Sequence, residues 1–308
     1  MAIAFISHAD CLRHRVAAHH PETSDRLGAI EDRLIASGLD LAVRYCDAPL
    51  VTREQLERVH DPAYIDWIES SRPTGNEMVC LDEGDTVMTR HSLAAAQRAA
   101  GAPVLGVDLV MAGTAHAAFC AVRPPGHHAE RARAMGFCLF NNIAVGAAHA
   151  LAEHGLERVA IVDFDVHHGN GTEQIFRNDD RVLFCSSFQH PFYPFTGHES
   201  DSRNLVDVPL PATARSEQFR EAVAEHWLPA LERFAPQMIF ISAGFDAHIE
   251  DDMSGVALVE ADYAWITREL VKIARQHAEG RIVSCLEGGY DLSSLGRATI
   301  AHLDAMLD

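Results

Sequence analysis

The sequence is poor in the features that mark multi-domain, membrane-bound and secreted proteins. Its 308 residues contain no Gly/Ser tract, no proline-rich run, no block of like charge and no internal repeat, so nothing in them marks a linker. The apolar stretches are no longer than a strand, which is too short to cross a bilayer. Residues 1–8 lack the basic segment and cleavage site of a secretory signal and resemble a first strand. We therefore predict a single cytoplasmic domain, residues 1–308, that binds no membrane.

The cysteines form no recognisable framework of disulfides or structural metal ligands. The seven are an odd number, and no two of them have CxxC spacing. Several, such as Cys285, lie in apolar runs that resemble strands. This pattern is typical of reduced, structural thiols in a cytosolic protein.

The net charge narrows the class of partner. A formal charge of −19 argues against binding nucleic acid, because the chain would repel the phosphate backbone. The same charge is compatible with attraction of cationic substrates. Solubility explains an acidic composition equally well, so the charge alone selects no function.

Strand-like and helix-like segments alternate along the chain. Such alternation is typical of an α/β fold with a parallel sheet flanked by helices on both faces, and its ligand sites lie at the carboxyl ends of the strands. The eight predicted strands are Ala2–Ile6, Leu41–Tyr45, His116–Ala121, Val159–Phe164, Val182–Ser187, Leu205–Pro209, Met238–Ser242 and Ile282–Leu286. The predicted helices cover 24–37, 91–111, 142–154, 217–234, 260–277 and 293–306, and a capping box at 52–55 opens another.

The most informative stretch is Asp163-Phe164-Asp165-Val166-His167-His168-Gly169, which follows an apolar, β-branched run. A strand covered on both faces should not end in two Asp and two His without compensation, because unpaired buried charge is costly. Residues two apart on a strand share a face, so Asp165 and His167 are expected to converge, with Asp163 on the same side. A carboxylate oxygen and an imidazole nitrogen at one point indicate a divalent metal such as zinc.

Three more polar segments each follow a predicted strand. They carry the pair His127-His128 behind a Pro-Pro-Gly turn, then Asp246, and then Tyr290 behind two glycines. Taken alone, each has an ordinary structural explanation as a surface pair, a helix cap or a turn. Together, however, four strand ends of one sheet supply carboxylates, imidazoles and a phenol. Chance does not readily explain this coincidence, so the pattern favours a shared site.

These groups suit a hydrolase. Zinc held by Asp165, His167 and Asp246 would have three protein ligands and one open position, the arrangement of a catalytic site. Bound metal lowers the pKa of water from ~16 towards ~7. Hydrolysis then needs proton transfer, for which the histidine pair is suited, and an oxyanion donor, for which the tyrosine hydroxyl is suited.

The chain resembles the zinc-dependent histone deacetylase superfamily, in its class II-like bacterial branch of histone deacetylase-like amidohydrolases and acetylpolyamine amidohydrolases. The matching segments follow the expected order over nearly the whole chain. They are His20-Pro21-Glu22 with Arg26, Val59–Tyr64, Arg123–His128, Gly136-Phe137-Cys138 with Asn141-Asn142, Asp163–Gly171, Phe192-Tyr193-Pro194, Ala243–Asp246 and Glu287–Tyr290. The resemblance implies the three-layer arginase-deacetylase α/β fold, with an eight-stranded parallel sheet.

The resemblance also implies catalytic roles. The zinc ligands would be the three residues inferred above. His128 would be general base and then general acid, oriented by Asn170. His127 would stay mostly charged and hydrogen-bonded to Asp163, and Tyr290 would polarise the scissile carbonyl. Phe137 and Tyr193 would form the walls of a narrow tube for a straight aliphatic chain; the full set of implied substrate-binding residues is Gly136, Phe137, Tyr193, Met253 and Gly289.

Potassium is the second metal implied by the resemblance. Its ligands near the zinc would be Asp163, Asp165, His167, Ser186 and Ser187. A further potassium is expected near Phe176 and Val182. His168 is assigned no catalytic role and is expected to be a packed, hydrogen-bonded residue.

Some positions depart from the patterns common in the family. Phe195 stands where glycine is frequent, and near the pocket it would affect the acyl length accepted. Asp252-Met253 stands where Pro-Leu or Pro-Met often occurs. Met253 occupies a rim position that is acidic in eukaryotic polyamine deacetylases, so its apolar side chain argues against a polyamine and favours an acyl-lysine or another uncharged group at the entrance.

The polar segment Arg72–Asp85 is expected to be an entrance lid or an interface. Within it, Asp82 and Asp85 are candidates for holding a substrate backbone. The oligomeric state stays open, with a homo-oligomer as one possibility.

The leading hypothesis is an amidohydrolase that removes acetyl or related acyl groups from lysine side chains of proteins or peptides, by metal-activated water attack without a covalent intermediate. The closest alternative, an acetylpolyamine deacetylase acting on small acylated amines, shares every catalytic residue. An arginase-like ureohydrolase needs carboxylates for a second metal, but Gly169 and His248 stand in their places. A non-catalytic acyl-lysine-binding module would be supported by a missing tyrosine, histidine or zinc ligand, and all are present.

Overall fold

The computed structural model describes residues 2–17, 19–84, 86–197 and 202–308, and an eight-stranded parallel sheet forms its centre. The strands are β1 (Ile3–Ser7), β2 (Val43–Asp47), β3 (Val79–Cys80), β4 (Val87–Met88), β5 (Ala118–Cys120), β6 (Val159–Asp163), β7 (Val182–Gln189), β8 (Leu205–Leu210), β9 (Met238–Ala243) and β10 (Ile282–Leu286). The sheet order is β2-β1-β5-β10-β9-β6-β7-β8, and β3 pairs antiparallel with β4. The eight-stranded parallel sheet predicted from the sequence is confirmed, with strand ends that differ by at most two residues.

Burial explains why the strands were predictable. The central strands β6, β9 and β10 are buried along their whole length. Continuous β-branched runs are typical of a parallel sheet covered on both faces. The edge strand β2 is partly exposed throughout, and its sequence is correspondingly more polar.

Ten α-helices surround the sheet in the described residues. They are α1 (Asp25–Ser37), α2 (Arg53–Glu57), α3 (Pro62–Ser70), α4 (Ser92–Met111), α5 (Asn142–Glu153), α6 (Asn170–Phe176), α7 (Ser216–Ala222), α8 (Leu228–Phe234), α9 (Glu260–His277) and α10 (Leu292–Leu307). A π-helical turn over Val223–Trp227 joins α7 to α8, so the predicted helix 217–234 is nearly continuous. The predicted capping box is present, because Gln55 N–H donates to the Thr52 hydroxyl. None of the described helices is long and apolar enough to cross a membrane.

The helices lie on both faces of the sheet. Neighbouring residues of β10 point to opposite faces. A Cβ placed at Gly106 in α4 would lie 3.1 Å from Val283 Cγ1, whereas the Ser284 hydroxyl lies 2.9 Å from Nε2 of His302 in α10. Because α4 and α10 contact opposite faces of one strand, the architecture has the three layers that were predicted.

Helix α6 was not predicted, and its surroundings explain its formation. It begins with Asn170-Gly171, and glycine disfavours helix in an isolated chain. In the structure, the N–H groups of Gly171 and Thr172 donate to the carbonyl oxygen of His127, at 3.1 and 3.2 Å. A Cβ at Gly171 would lie only 2.3 Å from the Ala129 carbonyl oxygen. The glycine therefore permits the close approach that ties α6 to the histidine segment.

The segment Arg72–Asp85 contains β3 and part of a hairpin. Asp82 holds its turn, because Oδ1 accepts the N–H groups of Gly84 and Thr86, both at 3.0 Å, and Oδ2 accepts the Thr86 hydroxyl at 2.6 Å. The Thr86 oxygen in turn accepts the N–H of Phe137 at 3.0 Å. Both oxygens of Asp82 thus accept hydrogen bonds within the hairpin turn. Asp85 lies outside the described residues.

Candidate active site

The four polar segments singled out in the sequence lie at neighbouring strand ends. β5, β10, β9 and β6 are consecutive in the sheet. The chain leaving them carries the His127-His128 pair, Tyr290, Asp246 and the loop 163–169, respectively. Because these strands are parallel, their carboxyl ends open on one edge of the sheet. The fold thus gathers the predicted site residues at the middle of that edge.

Two carboxylates and one imidazole form the centre of the site. Nδ1 of His167 lies 3.1 Å from Asp165 Oδ1 and 3.1 Å from Asp246 Oδ2, and all three side chains are buried. The predicted convergence is present, but its predicted cause is wrong, because β6 ends at Asp163 and strand alternation does not continue beyond it. Instead, Asp163 Oδ1 accepts the N–H of Asp165, and Asp165 Oδ1 accepts the N–H of His167. The carboxylates themselves shape the loop.

Two glycines make space for this cluster. A Cβ at Gly288 would lie 2.1 Å from Asp246 Oδ2 and 2.6 Å from Asp165 Oδ2, and one at Gly244 would lie 2.1 Å from Asp165 Oδ2. The N–H of Gly288 also donates to Asp165 Oδ2 at 2.8 Å. Two anchored carboxylates and an imidazole are a donor set that zinc accepts, and the glycines provide the cradle. These residues therefore fit zinc.

Burial perturbs the charges of the cluster. Burial, together with the charge of Asp165, raises the pKa of Asp246 to about 6. Burial disfavours a charged His167, but the two carboxylates outweigh it and raise its pKa to about 10. Without metal, an imidazolium thus offsets part of the carboxylate charge, and a divalent cation would offset more of it.

The histidine pair is divided into one charged and one neutral ring. His127 Nδ1 lies 2.9 Å from Asp163 Oδ2, and nearby carboxylates overcome burial to raise the pKa of His127 to about 10. Burial and the neighbouring charged imidazoles hold the pKa of His128 well below its usual value. Asn170 donates from its amide nitrogen to Glu130, so its oxygen faces His128 Nδ1 at 2.8 Å. That contact places the His128 proton on Nδ1 and leaves Nε2 basic.

Tyr290 is held from two sides. Asp251 accepts the N–H of Tyr290 at 2.6 Å through Oδ2 and that of Met253 at 3.0 Å through Oδ1. On the other side, Arg26 Cζ lies 5.0 Å from the centre of the tyrosine ring, and Arg26 Nε donates to the Gly289 carbonyl at 2.7 Å. Burial and nearby carboxylates raise the pKa of Tyr290 well above its usual value, so the phenol keeps its proton near neutral pH.

Two further buried carboxylates brace the backbone of the site, and sequence reasoning assigned neither a role. Glu287 Oε2 accepts the N–H groups of Gly126 and His127 at 2.7 and 3.1 Å, and burial raises the pKa of Glu287 to about 7. Glu22 binds the Arg123 guanidinium through both oxygens, at 2.6 and 2.7 Å. Both acids lie in segments that matched the family. Their backbone and guanidinium partners are distant in sequence, so no local pattern identified them.

A narrow cavity of about 210 Å³ reaches the cluster. Four of the five predicted substrate-binding residues line it. The exception is Gly289, whose carbonyl serves Arg26 instead. Phe195 is 69% exposed and is not among the lining residues. The lining consists of Pro125, His127, His128, Gly136, Phe137, His167, Phe192, Tyr193, Met253, Gly288 and Tyr290.

The fold is of the three-layer α/β class, with a candidate active site at the carboxyl edge of its sheet. The chain belongs to the histone deacetylase family, whose Histone deacetylase domain model matches residues 20–306. It is 36% identical to Type-2 histone deacetylase 2 of Dictyostelium discoideum, over 98% of this chain but only 20% of that protein. It is 37% identical to the histone deacetylase-like amidohydrolase of Pseudomonas aeruginosa, over 89% of this chain and 72% of that one. The crystal structure of the HDA15 HD domain aligns with a TM-score of 0.91 at 32% identity, covering 100% of this chain and 90% of that one.

The groups predicted to bind the first potassium lie side by side. Ser186 of β7 pairs in register with Asp163 of β6, and Ser186 and Ser187 are both buried. His168 is buried beside them, with Nδ1 3.1 Å from the Ser186 hydroxyl and Nε2 hydrogen-bonded to Glu173. Buried hydroxyl and carboxylate oxygens suit a hard monovalent cation, so the donor set fits the prediction.

The groups predicted to bind the second potassium do not fit it. The carbonyl oxygens of Phe176, Asp179 and Val182 converge, as an oxygen cage for a cation would. However, all three accept from the side-chain nitrogen of Asn204, at 2.8, 3.2 and 2.9 Å. An amide nitrogen at that point excludes an ion bound by the same three oxygens. In this structure, the Asn204 amide nitrogen therefore lies where that ion would bind.

Gly288→Ala should weaken zinc binding by roughly 100-fold, because its Cβ collides with both carboxylates of the cluster. The dissociation constant for zinc can be measured by competition with a chromophoric chelator. Gly28→Ala is the matched control, since its Cβ in α1 meets nothing within 4 Å. Equal zinc affinity in wild type and folded Gly288→Ala would contradict the assigned cluster.

Asn204→Ala should make stability depend more steeply on potassium, because removing the amide leaves the carbonyl cage free to bind the ion. The measurement is the thermal midpoint in KCl compared with choline chloride at the same ionic strength. Asn178→Ala, an exposed asparagine between α6 and β7, serves as the control. The replacement of the ion by Asn204 is refuted if all three proteins respond equally to potassium.

Proposed function

We propose that this protein is a zinc-dependent amidohydrolase that removes acetyl or related acyl groups from lysine side chains of proteins or peptides. One observation supports this most strongly. His167 of the Asp165–His167–Asp246 cluster lines the same cavity as the neutral imidazole of His128 and the phenol of Tyr290. Metal ligands, a base and an oxyanion donor in one place are what amide hydrolysis by water requires.

Bound zinc would polarise the acyl carbonyl and lower the pKa of a bound water to ~7. Asp165, His167 and Asp246 would hold it, which leaves one side open towards the cavity. No serine, threonine or cysteine is among the described residues that line the cavity. This lack of a side-chain nucleophile supports direct attack by water without a covalent intermediate.

His128 is the residue for proton transfer. Its depressed pKa keeps it neutral near pH 7, and Nε2 is its basic nitrogen. It would accept the proton of the attacking water and then deliver a proton to the departing amine. His127, whose ring centre lies 4.0 Å from that of His128, stays an imidazolium paired with Asp163. Its fixed positive charge would stabilise the negative charge that develops during attack.

Tyr290 is the oxyanion donor. Because its pKa lies well above neutrality, its hydroxyl has a proton to donate as charge builds on the carbonyl oxygen. Asp251 and Arg26 hold its backbone and ring, so little reorganisation is needed at that moment.

The walls of the cavity support an acyl-lysine substrate. Phe137, Phe192 and Tyr193 supply aromatic surface, and the half-buried Met253 adds an apolar contact. A lysine stem with an acylated nitrogen is uncharged and suits such walls. An acetylpolyamine retains charged amines, and no Asp or Glu is among the described lining residues to receive them. Acetylpolyamine hydrolysis therefore remains the less favoured alternative.

An arginase-like reaction with two metals has little support. A Cβ at position 169 would lie only 2.3 Å from Asp163 Oδ2. An aspartate could therefore replace Gly169 only if the Asp163 carboxylate moved. Position 248 is a histidine whose Nδ1 accepts the N–H of Glu250 at 3.1 Å. These positions supply no carboxylates for a second ion.

The cytoplasm is the proposed compartment. All seven cysteines are free thiols and five are buried, as expected in a reducing environment.

The net charge of −19 supports an enzyme that does not bind nucleic acid.

Tyr290→Phe should lower kcat/KM on an acetyl-lysine peptide by about 10²–10³-fold, the usual cost of losing one oxyanion donor. Zinc content should be unchanged, because Tyr290 is not one of the three ligand residues. Tyr45→Phe, at an exposed tyrosine of the edge strand, is the matched control. Wild-type turnover in Tyr290→Phe would refute the mechanism.

A further inference from the structure

A second groove, of about 500 Å³, lies beside the hairpin β3–β4. Its lining includes Arg13, Arg15 and Arg90, together with Leu12 and Met78, which are 48% and 44% exposed. Guanidiniums and exposed apolar side chains side by side are typical of surfaces that bind polypeptide.

The groove is cationic, although the chain as a whole carries a net charge of −19. Of its arginines, Arg13 pairs with Asp10 at 3.4 Å. Among the described residues, Arg15 and Arg90 have no carboxylate partner within salt-bridge distance. Glu77 follows the lining residue Asn76, and its carboxylate accepts the N–H of the lining residue Gly75. With three arginines against these two acids, the lining carries excess positive charge, and Arg15 and Arg90 have no ion pair among the described residues to neutralise theirs.

The surroundings of His91 indicate a positive electrostatic potential in the groove. Its Nε2 lies 3.3 Å from an Arg13 nitrogen and accepts from Arg90 Nε at 2.9 Å. Its pKa is lowered, first by desolvation and then by the charges of Arg13, Arg90 and Arg72, which outweigh the opposing charge of Asp10. An added proton is disfavoured there, as expected in a region of positive potential.

The groove adjoins the catalytic cavity through the hairpin. Met78 precedes β3 and lines the groove, while Thr86 precedes β4 and binds the N–H of Phe137, which lines the cavity. Because the hairpin connects the two linings, we expect a polypeptide with its acyl-lysine in the cavity to reach the groove with residues that flank that lysine.

We propose that this groove binds acidic residues of the polypeptide whose acyl-lysine enters the cavity, so that the enzyme selects acyl-lysines close to Asp or Glu in sequence. Planar guanidinium groups match carboxylates in bidentate geometry. Elsewhere the acidic surface repels such a segment, which directs it to the groove. The inference rests on the proposed acyl-lysine hydrolysis.

The test compares acetyl-lysine peptides that carry two glutamates on one flank with their glutamine isosteres. Wild type should show about five- to tenfold higher kcat/KM for the best glutamate peptide, mainly through KM, and the preference should vanish near ~1 M salt. Arg15→Glu combined with Arg90→Glu should abolish or reverse the preference. Arg275→Glu should leave it intact, because α9 ends where the chain turns into the amino end of β10, at the opposite edge of the sheet.

Acetyl-lysine amide, which has no flanking residues, separates the groove from catalysis. The doubly substituted protein should hydrolyse it at the wild-type rate. The inference would be overturned if the double substitution lowered hydrolysis of this minimal substrate as much as that of the peptides, or if wild type showed no preference for glutamate. Either result would leave acyl-lysine hydrolysis itself intact. Absence of all turnover in the wild type would instead overturn the proposed function. In that case, the dissociation constants of fluorescent glutamate and glutamine peptides, measured by anisotropy, still decide whether the groove binds acidic segments.

Discussion

The site depends on burying two carboxylates, Asp165 and Asp246, against one imidazole at the carboxyl edge of a parallel sheet. Buried charge of one sign costs several kcal/mol unless it is compensated. Here the compensation comes from His167 and from backbone donors, including Val166 N–H to Asp246 at 2.9 Å and Gly288 N–H to Asp165 at 2.8 Å. A divalent cation at this point would supply the remaining positive charge, so the cluster is a candidate metal site.

The buried charges of the site also make the two adjacent histidines differ in protonation. Asp163 stabilises the charged form of His127, and that charge, with burial, keeps His128 neutral. Two residues of one type thus differ in charge, because their environments push their pKa values apart. Glu287 holds the backbone of His127, and Asp251 holds that of Tyr290. Buried carboxylates therefore both set the charge pattern and fix the loops of the site.

The sheet and the site were predictable to different degrees. All eight strands were predicted, the central ones as buried apolar runs, although the edge strand β2 is more polar and partly exposed. Polar residues at four strand ends identified the candidate metal ligands, the histidine pair and Tyr290. Strand alternation did not explain how Asp165 meets His167, because hydrogen bonds from the loop backbone to the carboxylates of Asp163 and Asp165 form that loop. The amide of Asn204 in its carbonyl cage was also missed. Contacts between residues far apart in sequence, or made by a single side chain, leave no periodic signal.

Zinc titration into chelator-treated protein tests the central claim most directly, with bound zinc and acetyl-lysine turnover measured on the same samples. We predict that both rise together and saturate at one zinc per chain. We also predict that Asp246→Asn shows neither tight zinc binding nor turnover, because it removes one carboxylate of the cluster. Full turnover in protein stripped of metal, or zinc that binds without restoring turnover, would contradict the account.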